Sequence, residues 1–265
     1  MLDFYVNSSI HVALAVYCLV RVTESYFDLS YNEPLDWFIF FGTITGYNFV
    51  KYAGIAKLHH HSLTTHLKII QIFSLICFFV LIYFTLQLSI QTVLFLTPLA
   101  LLTLLYAIPF LGGFQKNLRS ISYIKVIVVA FVWAGITVLL PLHDVGYDCF
   151  GEKSLLVFFQ RFLFVFTLIL PFDIRDAKYD VLSLQTIPIK IGVNNTKLFG
   201  GLLLVLCVML EFFITNSFQL RKTFLLTSLL FFILLIKANE SQPKYYSSFI
   251  VEAIPIVWFV FLSFL

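Results

Sequence analysis

Three aspartates at a regular spacing are the residues best suited to chemistry. Asp173, Asp176 and Asp180 lie in the run Pro-Phe-Asp-Ile-Arg-Asp-Ala-Lys-Tyr-Asp at 171–180. On a helix, positions i, i+3 and i+7 share one face, so the three carboxylates would stand in a row. They would repel one another unless a cation lies among them. Mg2+ binds one or two carboxylates and leaves other coordination positions for phosphate oxygens. The spacing therefore predicts half of a metal–diphosphate site.

Composition indicates that these aspartates belong to a membrane protein. The chain has 265 residues, of which 60% are hydrophobic and 12% charged, and its mean hydropathy is +0.97. Soluble domains carry about 25% charged residues. The segment 158–170, just before the aspartates, is almost purely apolar. The net charge of +3 gives no argument for a nucleic-acid partner, so the lipid bilayer is the expected environment.

Apolar segments of membrane-spanning length set the expected fold. A spanning helix needs about 20 mainly apolar residues. No strand pattern stands out, so we expect an all-α integral membrane protein. It would be a single domain over 1–265, a bundle of nine transmembrane helices with a cavity facing the cytoplasm. The predicted spans are 9–27, 35–56, 67–87, 90–112, 122–142, 154–174, 196–216, 222–238 and 246–265.

Charge in the connections predicts the orientation. Four connections on one side of the nine-span arrangement are basic, and those on the other side are acidic, with Arg221 and Lys222 as the exception. Lysine and arginine mark cytoplasmic loops. We therefore expect the aspartates to face the cytoplasm, the N-terminus to be inside and the C-terminus outside, in a bacterial cytoplasmic membrane. The basic residues are Lys51, Lys57, Lys68, Lys116, Arg119, Lys125, Arg175, Lys178, Lys190, Lys197, Lys237 and Lys244.

The aspartate motif resembles that of a known family. Asp-Ile-Arg-Asp-x-x-x-Asp, followed by Thr-Ile-Pro at 186–188 and Gly192, is similar to the second Asp-rich motif of the UbiA superfamily of intramembrane prenyltransferases. The resemblance implies nine transmembrane helices and transfer of an isoprenoid chain from a prenyl diphosphate to a lipophilic acceptor. It also implies Mg2+ held by two Asp-rich motifs. Asp173, Asp176 and Asp180 would then be the catalytic carboxylates, and Asp176 and Asp180 the metal ligands, with Asp173 beside them.

A second region of resemblance follows the fourth predicted span. The segment Tyr-Ala-Ile-Pro at 106–109 is similar to the family's Tyr-x-x-Pro loop, which brings basic residues near the diphosphate. Glycines occupy 112–113, where Lys-Arg would be expected. The residues that would take over diphosphate binding in this region are Tyr106, Lys116, Arg119 and Lys125.

The first Asp-rich motif is where the chain departs from the family. That motif reads Asn-Asp-x-x-Asp-x-x-x-Asp, whereas this chain has Asn48 followed by Phe49, Tyr52 and Ala56 at the positions of the acids. Lys51 lies one turn after Asn48 on the same helix face. The second span therefore supplies an amide and a cation where the resemblance implies carboxylates.

Two interpretations of this loss remain open. In the first, Asn48 and Lys51 bind the diphosphate directly, since a lysine ammonium can replace a carboxylate-bound Mg2+ as a point charge. One Mg2+ on Asp176 and Asp180 would then suffice, and transfer would proceed. In the second, the fold binds or transports a lipid without catalysis, or cyclises an isoprenoid. Further cations available to the diphosphate are Arg119, Lys125, Arg175 and Lys178.

Plainer interpretations apply to the same residues. The aspartates would pair with Arg175 and Lys178 in a solvated loop, and Lys51 would anchor the membrane boundary. The histidines at 59–61 and His66 would be metal ligands or, more simply, part of a wet loop. Ionisable residues within spans usually face a partner inside the bundle. Such residues within or near the ends of spans are Arg21, Glu24, Arg161, Glu211 and Glu252. Arg21 and Glu24 would pair with each other at the outer end of the first span, and Arg161 and Glu252 would make polar contacts inside the bundle.

Overall fold

The fold is an all-helical bundle. The computed structural model describes residues 2–58, 65–108, 122–178 and 186–265, and side chains within them except at 53–58, 65–66 and 122–123. This part of the chain contains no strand. Its helices are α1 (Leu2–Asn7), α2 (Ile10–Phe27), α3 (Glu33–Leu58), α4 (Thr65–Thr85), α5 (Ile90–Ala107), α6 (Ser122–Ala134), α7 (Leu140–Asp144), α8 (Glu152–Asp176), α9 (Ile187–Ile191), α10 (Val193–Ile214), α11 (Phe218–Lys237) and α12 (Ile254–Phe264).

Two π-helical turns extend the regular helices. Gly135–Leu139 joins α6 to α7, so that Ile124–Asp144 runs as one span, and Tyr246–Val251 leads towards α12. A π-turn widens a helix and redirects the side chains around it. Hydropathy gave no sign of either turn, although it located both spans.

Eight helical segments among the described residues are long and apolar enough to cross a membrane. The remaining long helix, α3, has 26 residues and a length of about 39 Å at 1.5 Å per residue. It contacts both α2 and α4, and its second half carries the polar residues Asn48 and Lys51. Within the described ranges, the eight spans and α3 together agree with the expected bundle of nine long helices, and the polar member is the helix that carries the altered motif.

The core lies between α2, α8 and the last two helices. Phe164 of α8 packs against Trp258 of α12 with ring centroids 5.4 Å apart, and Phe224 of α11 lies 4.9 Å from the same indole. All three side chains are buried. In contrast, α4 and α5 expose apolar side chains along much of their length. That surface suits contact with lipid tails.

Close approach of helices depends on Gly200 of α10. A Cβ there would lie 2.8 Å from a methyl group of Leu235 and 2.9 Å from one of Leu170. Small residues let membrane helices pack at short range. This contact holds α10 against α8 and α11 near the end where α8 presents its aspartates.

Alternation of the long helices places the connections at two ends. The "basic end" holds α1, the last turn of α3, the end of α5, the start of α6, the end of α8 and the segment after α11. There, Lys244 and Tyr245 both donate to Asp3 of α1. The "acidic end" is opposite, where the Thr92 hydroxyl donates to Asp144 at 2.6 Å. The two aspartates that α8 carries in its last turn lie at the basic end.

Candidate functional site

The C-terminal turn of α8 carries Asp173 and Asp176. Carboxylates in a last helical turn meet the negative end of the helix dipole, so each needs a cation nearby. Asp173 is buried, and Lys125 Nζ of α6 lies 2.9 Å from its Oδ1. This ion pair joins the start of α6 to the end of α8. Lys125, predicted as a diphosphate ligand, is placed against a carboxylate here, and its contact with a diphosphate stays a prediction.

Asp176 pairs with its neighbour Arg175. The Arg175 Nε donates to Oδ1 at 2.7 Å and Nη2 donates to Oδ2 at 3.2 Å. The Asp176 side chain is 42% exposed, so the pair is open to solvent or ligand. α8 ends at Asp176, and therefore carries two of the three aspartates; Asp180 lies outside the described residues. Lys178 is exposed in the turn after the helix.

On α3, Asn48 is held by the corner between α1 and α2. The Ser9 hydroxyl donates to Asn48 Oδ1 at 2.9 Å, and Asn48 Nδ2 donates to the Ser8 carbonyl at 3.0 Å. Asn48 is buried, and these bonds engage both ends of its amide. Lys51 Nζ donates to the Ser9 hydroxyl at 2.8 Å, but its side chain is exposed. Of the two, Lys51 is the one whose charge faces open space.

Tyr106 stands in the last turn of α5. It lies within electrostatic range of Tyr47 on α3, whose hydroxyl accepts a hydrogen bond from Trp133 Nε1 at 2.7 Å. The aromatic groups of α3, α5 and α6 therefore meet near the basic end. The predicted ligands Lys116 and Arg119 lie outside the described residues, as do the histidines at 59–61 and the side chain of His66.

Glu252, in the last span, lies near the charged residues of α3 and α8. It follows the second π-turn, and both Lys51 and Arg175 lie within its electrostatic range. The sequence indicated only that a carboxylate inside a span would face the bundle interior. Which charges it faces depends on the packing of α12 and could not be read from spacing. We call the following residues the basic-end cluster: Lys51, Lys125, Asp173, Arg175, Asp176 and Glu252.

The donor set of the cluster suits a hard cation. Within the described residues, no group of three or more His, Cys, Asp or Glu side chains is close enough to hold a metal ion. Mg2+ needs only one or two carboxylates when phosphate oxygens complete its coordination. Asp173 and Asp176 offer oxygen ligands of that kind in one helical turn. They fit a single Mg2+ bound together with a phosphate group.

A second set of polar residues lies in the middle of the bundle. Arg161 of α8 is 2% exposed, and its Nη1 donates to the Leu19 carbonyl at 2.8 Å. Its guanidinium carbon lies 5.1 Å from the centre of the Trp258 ring, and Thr23 and Thr137 accept longer bonds at 3.4 Å. Sequence predicted a partner inside the bundle for Arg161, and the contacts confirm it.

Glu211 of α10 is the acidic member of this set. It is fully buried, and Tyr26 OH donates to its Oε1 at 2.7 Å. Gln160 Nε2 donates to Oε2 at 2.8 Å and to the Cys207 carbonyl at 3.0 Å. We call Tyr26, Gln160, Arg161 and Glu211 the mid-bundle network. Because these groups hydrogen-bond to one another and to the backbone, the network stabilises the packing of the helices.

The predicted pairing of Arg21 with Glu24 is also confirmed. The two side chains form an ion pair within α2, and Arg21 Nη1 lies 3.5 Å from Asp36 Oδ2 of α3. Asp36 is fully buried. These residues tie α2 to α3 near the acidic end, far from the α8 aspartates.

An apolar cavity of about 550 Å³ opens between α5 and the α6 span. The described residues that line it are all uncharged, so it suits a hydrocarbon chain and not a diphosphate. Gly135 lets Leu99 of α5 pack closely at its wall, because a Cβ there would lie 2.9 Å from the methyl groups of Leu99. Its lining residues are Phe95, Pro98, Leu99, Leu101, Leu102, Leu105, Phe131, Gly135 and Leu139.

Comparison with known proteins identifies the fold. The sequence matches no family model and no curated protein. The structure is similar to a solved structure of digeranylgeranylglyceryl phosphate synthase, with 17% sequence identity and a TM-score of 0.58. The match covers 99% of this chain and 96% of that one, so it includes every long helix. The chain therefore has the fold of that membrane synthase structure, an all-helical bundle as the sequence predicted.

Proposed function

We propose that the protein is a membrane prenyltransferase that moves an isoprenoid chain from a prenyl diphosphate to a lipophilic acceptor. One observation carries the proposal. The α8 aspartates and the cations of α3, α6 and α8 gather at one end of a bundle with the prenyltransferase fold. Transfer from a diphosphate needs positive charge where the leaving group departs and a dry cavity for the reacting chain.

Lys51 and Arg175 are the side chains that would bind the diphosphate. Both lie within electrostatic range of the same point, Glu252, although they come from α3 and α8. Arg175 presents a planar guanidinium, and Lys51 a compact ammonium, and both groups suit phosphate oxygens. Lys125 would act behind them by pairing with Asp173 through the 2.9 Å contact.

Asp173, Asp176 and Asp180 would hold Mg2+, which supplies the charge that neutralises a departing diphosphate. The chain's own residues determine where the reaction occurs. The carbon–oxygen bond of the prenyl diphosphate would break at the cluster, and the acceptor would attack the allylic carbon. The proton of the acceptor leaves in the same reaction, so that the products are the prenylated acceptor and diphosphate.

The isoprenoid chain would extend away from the cluster into apolar space. The cavity between α5 and α6 provides such space, and its lining reaches Leu105, next to Tyr106 at the end of α5. Exclusion of water there would protect the allylic cation. From the basic loops, the cluster would face the cytoplasm.

Release of diphosphate from a labelled substrate tests the proposal. Purified protein would be incubated with radiolabelled prenyl diphosphates of several chain lengths and Mg2+. We expect release by the wild type and at least a hundredfold loss in Asp176→Ala, since electrostatic stabilisation of a leaving group contributes roughly that factor. Glu240→Ala is the matched control, because Glu240 is an exposed carboxylate at the same end.

Each other outcome would contradict a defined part of the proposal. Binding without release at any chain length would favour the lipid-binding alternative. Release that persists unchanged in Asp176→Ala would mean that the α8 aspartates are not the site. An equal loss in Glu240→Ala would trace the effect to the general charge of this end.

A further inference from the structure

Ser9 stands at the start of α2 but does not cap the helix. It occupies the N-cap position, yet its side chain accepts no hydrogen bond from the first turn. A serine at this position commonly uses its hydroxyl on a backbone N–H of that turn, which stabilises the helix. In this fold the Ser9 hydroxyl is therefore used elsewhere.

Two polar side chains of α3 engage this hydroxyl. It donates to Asn48 Oδ1 at 2.9 Å, and Lys51 Nζ donates to it at 2.8 Å. These directions follow from the chemistry, because an ammonium only donates and a hydroxyl has one proton. Asn48 Nδ2 then donates to the Ser8 carbonyl at 3.0 Å. We call this series, from Lys51 through Ser9 and Asn48 to the Ser8 carbonyl, the Ser9 relay. Each hydrogen bond in such a series polarises the next.

The relay is buried at one end and open at the other. Ser8 and Ser9 are 0% exposed and Asn48 is 3% exposed, so little water competes for their hydrogen bonds. The Lys51 side chain is exposed. Among the described residues, Lys51 has no second hydrogen-bond acceptor and no carboxylate oxygen within 4.0 Å. Of the three N–H groups of its ammonium, one is used on Ser9, and the others remain for a ligand.

The backbone of Ser9 is strained. Its φ of 65° and ψ of 18° lie in the left-handed region, which residues other than glycine seldom adopt. Such a conformation persists only where the surrounding contacts fix it. A third side chain of α3 contributes, because Tyr52 OH donates to the Asn7 carbonyl at 3.0 Å. The corner at 7–9 is therefore held against α3, with the Ser9 hydroxyl between Asn48 and Lys51.

We propose that Ser9 is a positioning residue, which orients the Lys51 ammonium for the phosphate oxygens of the prenyl diphosphate. A lysine side chain has many rotamers, and ordering it when a ligand binds weakens affinity. The bond to Ser9 fixes the ammonium at the basic end before the ligand arrives. This role rests on the proposed function, since it presupposes a diphosphate at the basic-end cluster.

Affinity for a substrate analogue tests this role. The probe is farnesyl S-thiolodiphosphate, and its Kd would be measured on the purified full chain in excess Mg2+. Ser9→Gly removes the hydroxyl, and glycine adopts the left-handed conformation without strain. We expect the Kd to rise about fivefold, as when a long side chain must be ordered on binding. Ser9→Ala keeps the buried Cβ and should give the same rise, so the result does not depend on the added freedom of glycine.

A double-mutant cycle with Lys51→Met shows whether Ser9 acts through Lys51. Ser9→Gly should raise the Kd in the wild-type background and have no further effect in Lys51→Met, because the ammonium that it orients is then absent. A Ser9 that only supports the corner would weaken binding by the same factor in both backgrounds. That result would overturn the proposal, as would an unchanged Kd in both Ser9 variants.

Ser8→Ala is the matched control. Ser8 is the neighbouring serine and is equally buried, and its hydroxyl has no hydrogen-bond partner among the described residues. The variant retains the Ser8 carbonyl that accepts from Asn48, so the Kd should stay at the wild-type value. An equal rise in Ser8→Ala would show that any change at this corner weakens binding, and the role of Ser9 would be wrong. A wild type that binds no analogue in Mg2+ would instead contradict the proposed function itself.

Discussion

The mid-bundle network and the basic-end cluster use similar residues in opposite ways. In the network, Arg161 and Glu211 are 2% and 0% exposed, and both are saturated by groups of the fold. In the cluster, the Lys51 side chain is exposed, and Glu252 has no partner within 4.0 Å among the described residues. A buried charge must be paired to be tolerated at all. A charge that the fold positions without pairing remains available to a ligand.

This difference identifies function more sharply than the presence of charge does. Arg161 and Lys51 both lie on membrane helices, and sequence alone suggests a special role for each. Arg161 contacts backbone and hydroxyl oxygens of α2 and the α6 span, so it joins helices. Lys51 donates to one hydroxyl, and the Glu252 carboxylate lies within its electrostatic range. Substitutions in the two regions should therefore separate stability from binding.

The largest effect on stability should come from the mid-bundle network. Glu211→Ala removes the acceptor of the Tyr26 hydroxyl and of the Gln160 amide and leaves both donors unpaired in the bundle. We expect the free energy of unfolding to fall by about 3 kcal/mol, as for other broken buried charge networks. Thermal unfolding in detergent measures this, with Glu240→Ala as the control. A Glu211→Ala protein with the same melting temperature as the wild type would show that the network does not stabilise the bundle.

An intermediate effect is expected at the ion pair between Lys125 and Asp173, within the basic-end cluster. Lys125→Met leaves the buried Asp173 carboxylate without the ammonium 2.9 Å away. The free energy of unfolding should fall by about 2 kcal/mol. This is less than for Glu211→Ala, because Lys125 is itself partly exposed. Lys125→Met combined with Asp173→Asn should recover most of it, since the two changes are coupled. Additive losses in the double variant would show that the pair does not interact.

The smallest effect concerns α1, at the edge of the basic end. Hydrogen bonds from Lys244, and then Tyr245, lower the pKa of Asp3 below its ordinary value of 3.8. The contact is therefore fully formed at pH values above the ordinary pKa of Asp3, and it is lost as the pH falls through the lowered pKa. Because the pair is exposed, Asp3→Asn should leave the melting temperature at pH 7 unchanged. NMR titration of the Asp3 carboxyl gives the check, and a midpoint above 3.8 would contradict the contact.

Most of the fold could be predicted because membrane helices have a length and composition that sequence displays directly. The span predicted at 9–27 is α2 at Ile10–Phe27, and that predicted at 154–174 is α8 at Glu152–Asp176. The π-turns could not be predicted, since a shift from i+4 to i+5 hydrogen bonding leaves hydropathy unchanged. α8 ends at Asp176 and so carries two aspartates of the predicted row, and Asp180 lies outside the described residues.

The site was less predictable because its partners are distant in sequence. Spacing located Asp173 and Asp176, yet the contact of Asp173 with Lys125 depends on how α6 packs against α8. Glu252 showed only as a carboxylate inside an apolar span, and its relation to Lys51 needs the position of the last helix. Local patterns reveal which residues are unusual, whereas tertiary packing decides which of them are paired.

The affinity of Lys51→Met for farnesyl S-thiolodiphosphate in excess Mg2+, measured together with the melting temperature, tests the central distinction most directly. If Lys51 is positioned for a ligand and not for the fold, the Kd of Lys51→Met for the analogue should be about tenfold higher than that of the wild type. A hydrogen bond to a charged group typically contributes about that much to binding. The melting temperature should stay close to that of the wild type. An unchanged Kd, or a loss of stability as large as that of Glu211→Ala, would contradict the account.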